Sequence, residues 1–233
     1  VTGRHDLAAT LPWLHEGTAH LLRTAAGLDD DALRGASRLP GWTRAHVLGH
    51  VARNAEALTR LATWARTGVE TPMYPDPARR AAEIEESARR APATLRAELE
   101  STSDTLASAL GALTPEGWQA RVRSALGRDI PAAEIPWIRI REVWLHPVDL
   151  GTGAAVTDLP VGVVDLLLDD VTAALSRKDG CPSVTLAPTD RPTTWSLGAP
   201  PRARRVDAPA ADLVGWLSGR VPHPEWPALP GWL

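Results

Sequence analysis

The chain has one cysteine, Cys181, one lysine, Lys178, one tyrosine, one methionine and no phenylalanine. A single cysteine excludes an internal disulfide and a cysteine-based zinc cluster, so any metal held here must be bound through nitrogen and oxygen. Chemistry that needs a thiol must draw it from solution, because Cys181 lies in a Gly-Cys-Pro turn that reads as the approach to a strand, with nothing marking its sulfur as reactive. No apolar run is long enough to span a bilayer, which predicts no membrane partner. The start, Val1-Thr2-Gly3-Arg4-His5-Asp6, lacks a basic stretch followed by an apolar one, so the expected location is the cytoplasm. A net charge of -3 argues against nucleic acid as the main partner.

What is present is an ordinary soluble composition, 44% hydrophobic and 23% charged over 233 residues, enough chain to bury a substantial core. The first two thirds carry helical periodicity. Leu14, Leu21, Leu22 and Ala25 share one face of a helix from about Leu11 to Leu28. Leu39-Pro40-Gly41-Trp42 breaks the pattern, and Thr43 is placed to cap a helix running to about Arg66. Residues 68–77 read as a loop, marked by Pro72, Pro75 and Pro77. Ile84, Leu95, Leu99, Leu106 and Leu110 then predict a helical region from about Ala78 to Leu113, interrupted near Pro92. A fourth helix is expected over Ile135 to Leu150, with Pro136 tolerated in its first turn.

After Gly151-Thr152-Gly153 the texture changes. A helix is predicted over Val161 to Arg177, then short β-like pieces at Ser183 to Leu186, Thr193 to Leu197 and Arg204 to Asp207, and a last helix opened by Pro209 through Leu217. The fold class is therefore mostly α: a four-helix bundle over residues 1–153 and a smaller α+β domain with a proline-rich tail over 154–233.

The most informative stretch is Glu142-Val143-Trp144-Leu145-His146. Four residues advance a helix by about 6 Å and return the two side chains to nearly one face. A carboxylate and an imidazole so placed make two legs of a divalent-metal site, and a third can come from a second helix. His46-Val47-Leu48-Gly49-His50 is the evident donor. On spacing alone either histidine serves, since His46 and His50 are themselves four apart, and a solvated face or a core histidine is the bland alternative for each.

Gly41-Trp42-Thr43-Arg44 leading to His50 and Asn54, then Thr67-Gly68-Val69-Glu70-Thr71-Pro72-Met73-Tyr74, then Arg141-Glu142-Val143-Trp144-Leu145-His146-Pro147-Val148-Asp149-Leu150, resembles the mycothiol-dependent maleylpyruvate isomerase family. The likeness runs over nearly the whole chain to Trp232-Leu233 and is densest in the bundle. The family is DinB-like in its N-terminal part. The resemblance implies zinc held by His50, Glu142 and His146, and an arginine after the Thr-Pro-Met-Tyr loop that serves the substrate, here Arg80. It also implies mycothiol, a cysteine-containing thiol of actinobacterial cytoplasm, as coenzyme.

Three protein ligands leave a fourth metal position open, the arrangement of a catalytic site. A thiol entering it is deprotonated at neutral pH. Maleylpyruvate is a cis alkene conjugated to carbonyl groups. Adding a thiolate to the double bond permits rotation, and expelling it gives fumarylpyruvate with the thiol regenerated. An arginine fork would hold a substrate carboxylate and steady the charge on the adjacent enolate. Tyr74, Arg139, Arg141 and, from the second domain, Arg220 are further candidates for binding substrate or thiol, although charged side chains near a helix start are most often solvated or salt-bridged. His46, Asn54 and Asp149 are candidates to support the ligands from outside. Trp42 and Trp144 flank the site in sequence and are expected to wall it.

The expected function is thus zinc- and mycothiol-dependent cis-trans isomerisation of maleylpyruvate, the substrate coming from gentisate breakdown or, as a related ene-dicarbonyl compound, from a biosynthetic pathway. The alternatives are a mycothiol S-transferase on the same metal site, a hydrolase using metal-activated water, and a binding protein that keeps the bundle without catalysis. The expected partners are a small-molecule substrate and a low-molecular-weight thiol; the oligomeric state is not legible, a monomer being compatible with the sequence.

Overall fold

The computed structural model describes residues 3–199 and 204–232. Val1, Thr2 and Leu233, which belong to the start and to the terminal likeness quoted above, lie outside them. The chain divides into two compact units, Val1–Ala154 and Ala155–Leu233.

The first unit is built on four long helices, α1 (Leu7–Ala26), α3 (Arg44–Thr67), α5 (Pro92–Gly111) and α7 (Ile135–Leu150), with the shorter α2 (Asp30–Arg34), α4 (Pro77–Ala88) and α6 (Pro115–Gln119) between them. Helix α3 packs on both α5 and α7, and α1 packs on α7 and α5, so the four close around one core, while α4 lies along α3. Each long helix begins where its residues allow. The Asp6 carboxylate accepts from Ala8 N to start α1, and the Thr43 hydroxyl accepts from His46 N to start α3. Gly68, in the left-handed region at φ 73°, ends α3, and Gly151 at φ 68° ends α7. In α5 the buried positions Leu95, Leu99, Ser103, Leu106 and Leu110 recur at three and four residues. Burying each of those leucines contributes about 2 kcal/mol.

The region expected as one helix broken near Pro92 is two separate helices. Arg89 closes α4 and Pro92 sits in the first turn of α5, where its missing N–H costs nothing. The short helices α2 and α6 and an antiparallel hairpin, β1 (Arg121–Arg123) with β2 (Asp129–Pro131), have no counterpart in the sequence reading. Each strand of that hairpin buries one apolar side chain, Val122 or Ile130, too short a pattern to declare itself.

Helix α7 is the spine of the unit. Of its residues only Arg141 and Glu142 fall outside the buried set. It approaches α1 closely because Gly17 leaves room: a Cβ there would lie 2.5 Å from the Trp144 indole nitrogen. That nitrogen donates to the Trp13 carbonyl at 2.9 Å. Trp144 also stacks on His20 with ring centres 5.5 Å apart. It therefore faces α1 and does not wall the candidate site, because two residues beyond Glu142 turn a helix by about 200°.

The second unit holds α8 (Val161–Leu175), a three-stranded sheet and α9 (Ala210–Leu217). Strand β3 (Val184–Pro188) is central, antiparallel to β4 (Trp195–Leu197) and parallel to β5 (Arg204–Ala208). Leu167, Leu186, Val206 and Leu213 are among its buried side chains. No described helix in either unit is long and apolar enough to cross a membrane.

Candidate metal centre

Glu142 and His146 stand one turn apart on α7, and His50 faces them from α3. One oxygen of Glu142, Oε2, lies 2.9 Å from His50 Nε2 and 3.0 Å from His146 Nε2. The two imidazoles meet edge to face at 4.9 Å. A donor atom from each of the three residues falls within 4.8 Å of the others. Tetrahedral zinc with bonds of about 2.0–2.1 Å sets its donors roughly 3.3 Å apart, so two ring nitrogens and a carboxylate in this arrangement fit such an ion. Among the described residues this is the one cluster of three or more such donors.

The three groups are electrostatically coupled. Burial alone would raise the Glu142 carboxyl, but the two imidazoles outweigh it and hold it well below the usual range. Burial depresses His50, and the bonds to Glu142 only partly offset it. Burial also pushes His146 down, yet its bonds to Asp149 and Glu142 win, leaving it above the ordinary value. The difference between the two histidines is Asp149. Its Oδ2 lies 2.9 Å from His146 Nδ1 and fixes that ring with Nε2 turned toward Glu142. His50 has instead Arg80 Nη2 at 3.3 Å from its Nδ1.

Arg80 comes from α4 and stands over the Tyr74 ring, 5.6 Å from its centre. Burial raises the Tyr74 hydroxyl above its ordinary range against the pull of Arg80. Trp42, just before α3, faces His50 at 5.5 Å, as expected of a wall. The three candidate donors, the Arg80 guanidinium, the Tyr74 phenol and the Trp42 indole are therefore adjacent.

Other candidates lie elsewhere. His46, expected to support the ligands, spends its nitrogens on other partners: Nδ1 lies 2.7 Å from Thr43 Oγ1 and accepts from Thr43 N, and Nε2 reaches Glu85 of α4 at 3.4 Å. It caps α3 and ties α4 to it. Arg139, a candidate for binding substrate or thiol, points into the bundle and is 1% exposed. It donates to Val51 O at 2.6 Å, Asn54 Oδ1 at 2.9 Å and Ser103 Oγ at 3.3 Å. Burial pushes its guanidinium down to about 10, with Glu142 and Tyr74 opposing. Asn54 consequently serves Arg139, not the imidazole one turn before it. Arg141 is half-buried beside Glu142 in α7. Arg220 belongs to the second unit, where it donates to Ser218 O.

Arg60 was not a candidate from sequence. Its Nε and Nη2 donate to the Met73 carbonyl at 3.0 and 2.5 Å, gripping the segment that carries Tyr74. Its partner is a main-chain oxygen thirteen residues on, in a loop, which no residue pattern announces.

Residues 14–151 match the model of the mycothiol maleylpyruvate isomerase N-terminal domain. Two crystal structures are similar over nearly the full length, one described as the mycothiol-dependent maleylpyruvate isomerase and the other as a histidine-to-alanine mutant of it. Each shares 35% sequence identity with this chain at a TM-score of 0.89, covering 95% of this chain and 93% of theirs. A search of curated proteins found no match.

Proposed function

Because the chain belongs to the mycothiol-dependent maleylpyruvate isomerase family, we propose that it converts maleylpyruvate to fumarylpyruvate with zinc and mycothiol, using His50, Glu142 and His146 as the metal ligands. The observation that carries this reading is the convergence of those three donors beside Arg80. A bound zinc ion would offer an open position that acidifies a thiol, whose reversible addition to the double bond is the means of isomerisation.

The remaining work falls to the chain's own side chains. Asp149 keeps the His146 ring oriented. Arg80 supplies a charged fork for a substrate carboxylate and for negative charge developing on the neighbouring oxygen. The Tyr74 hydroxyl stays protonated well past neutral pH, so it can donate a hydrogen bond to the same oxygen. Trp42 limits water on the His50 side. Arg139 ties α7 to α3 and α5 through Val51 O, Asn54 and Ser103, bracing the helices that carry the donors. Arg141, half-buried beside Glu142, is a further contact for substrate or thiol, and the cytoplasm is the location.

The test is the ultraviolet absorbance of maleylpyruvate with zinc-loaded protein, with and without mycothiol, alongside His50→Ala. Conversion to fumarylpyruvate at substoichiometric thiol, lost in the variant, supports the isomerase. Stoichiometric consumption of thiol would replace it with the S-transferase, and turnover without thiol with the hydrolase.

A further inference from the structure

The segment 68–76 has no regular secondary structure, yet it delivers Tyr74 and the start of α4 to donors fixed on α3 and α7. Something must set its position along α3. The contacts that do so converge on Arg60, ten residues and about 15 Å beyond His50 on the same helix. Its guanidinium gives two N–H groups to one oxygen, Met73 O, and its own carbonyl accepts from Thr71 Oγ1 at 2.7 Å. The clasp is reciprocal, since Arg60 holds the segment and is held by it. Met73 is 5% exposed, so the gripped peptide is anchored by its side chain as well. A carbonyl outside helix and sheet needs a donor when it turns inward, and the rigid guanidinium fork fixes direction as well as distance.

We propose that Arg60 is a positioning residue for the isomerisation. Through Met73 it sets where Tyr74 lies along α3, and through Tyr74 it sets the Arg80 guanidinium that stands over that ring and beside His50. Arg60 stands about 15 Å along α3 from His50 and spends its hydrogen bonds on Met73 and Thr71, not on the metal donors. The inference rests on the substrate role proposed above for Arg80. Its consequence is a division of labour within α3: His50 serves the metal and Arg60, three turns on, serves the substrate-binding arm. Disturbing Arg60 therefore weakens substrate binding while leaving metal affinity alone.

Tyr74 is the only tyrosine, so labelling the full chain with 3-fluorotyrosine gives one fluorine resonance that reports on this segment. The comparison is wild type against Arg60→Met and Arg60→Lys, all zinc-loaded, with metal content and affinity, KM and kcat measured together. The expected result is a displaced or broadened Tyr74 resonance in Arg60→Met. KM for maleylpyruvate should rise about tenfold with a smaller change in kcat, zinc affinity should stay the same, and Arg60→Lys should recover most of the loss. An unmoved resonance with unchanged KM overturns the proposal, as does activity lost in parallel with zinc. If Arg60→Met does not fold, Thr71→Val removes the other half of the clasp and is read in the same way. If the wild type fails to isomerise maleylpyruvate, the functional reading fails, and the fluorine resonance still decides whether Arg60 places Tyr74.

Discussion

The candidate site is assembled from two regions of different construction. Its floor is α3 and α7, regular helices whose donors are set by helical pitch and by packing so tight that α7 leaves only Arg141 and Glu142 outside the buried set. Its arm is the segment 68–76 with α4, which carries Tyr74 and Arg80 and is tied down at a few points: Arg60 on Met73 O, His46 on Glu85, and Ser87 against Gly49, where an added Cβ would come within 2.7 Å. The floor has the rigidity a metal site needs, because small displacements of donors cost affinity. The loop of the arm owes its place to a few discrete contacts while α4 packs Ile84 and Ser87 inward along α3, and changes in the loop should reach substrate handling without reaching the metal.

The largest break in this comparison should come from the floor. Replacing Glu142 with Gln is expected to take zinc from one ion per chain to near none by elemental analysis, with activity falling at least about a hundredfold. Arg80→Gln should lower kcat/KM by a similar factor, about a hundredfold, with zinc content intact. Loss of zinc in Arg80→Gln would erase the distinction between floor and arm. Asp149→Asn should weaken zinc about ten- to a hundredfold, read by competition with a chelator.

Smaller effects sharpen the picture of what holds the floor. Gly17→Val forces a side chain into Trp144 and should cost about 1–3 kcal/mol in denaturant unfolding, without a primary effect on the metal. At the other end of α7, Glu134 lies 3.0 Å from His5 and 2.6 Å from Arg128. Burial draws its carboxyl up, but His5, Arg128 and the nearby Arg4 outweigh burial and hold it below its usual value. A carboxyl depressed in the folded state adds stability above its unfolded value and loses it as pH falls through the folded one. Thermal melts should therefore show wild type losing its advantage over Glu134→Gln as pH falls from the ordinary carboxylate range. Equal slopes for the two proteins over that interval would remove Glu134 from the account.

Much of the floor is legible in the sequence. The helix Ile135–Leu150 follows from its apolar pattern, with Pro136 at the start and Gly151 at the end, and the capped start of α3 follows from Thr43. The pairing of Glu142 with His146 is a matter of helical pitch. Spacing could not choose between His46 and His50, because both share a face. The family resemblance pointed to His50, and in the structure His46 is spent on Thr43 and Glu85. Nor could spacing place Trp144 or Arg139, which flank the site in sequence and turn away from it in space.

The sequence by itself determined the helical frame, the nitrogen and oxygen character of any metal site, and an outside source for the thiol of any thiol chemistry. These depend on residue type and on intervals of three and four, which short-range geometry imposes wherever they occur. Tertiary structure decided which side chains meet: His50 with α7, Arg139 with Asn54 and Ser103, Arg60 with the Met73 carbonyl. The first two join separate helices of the bundle and the third joins a helix to the loop that follows it, and two of them run to main-chain or neutral groups that carry no residue signature. They depend on how closely two backbones approach, as at Gly17 and Gly49, and that distance is a property of the packed bundle.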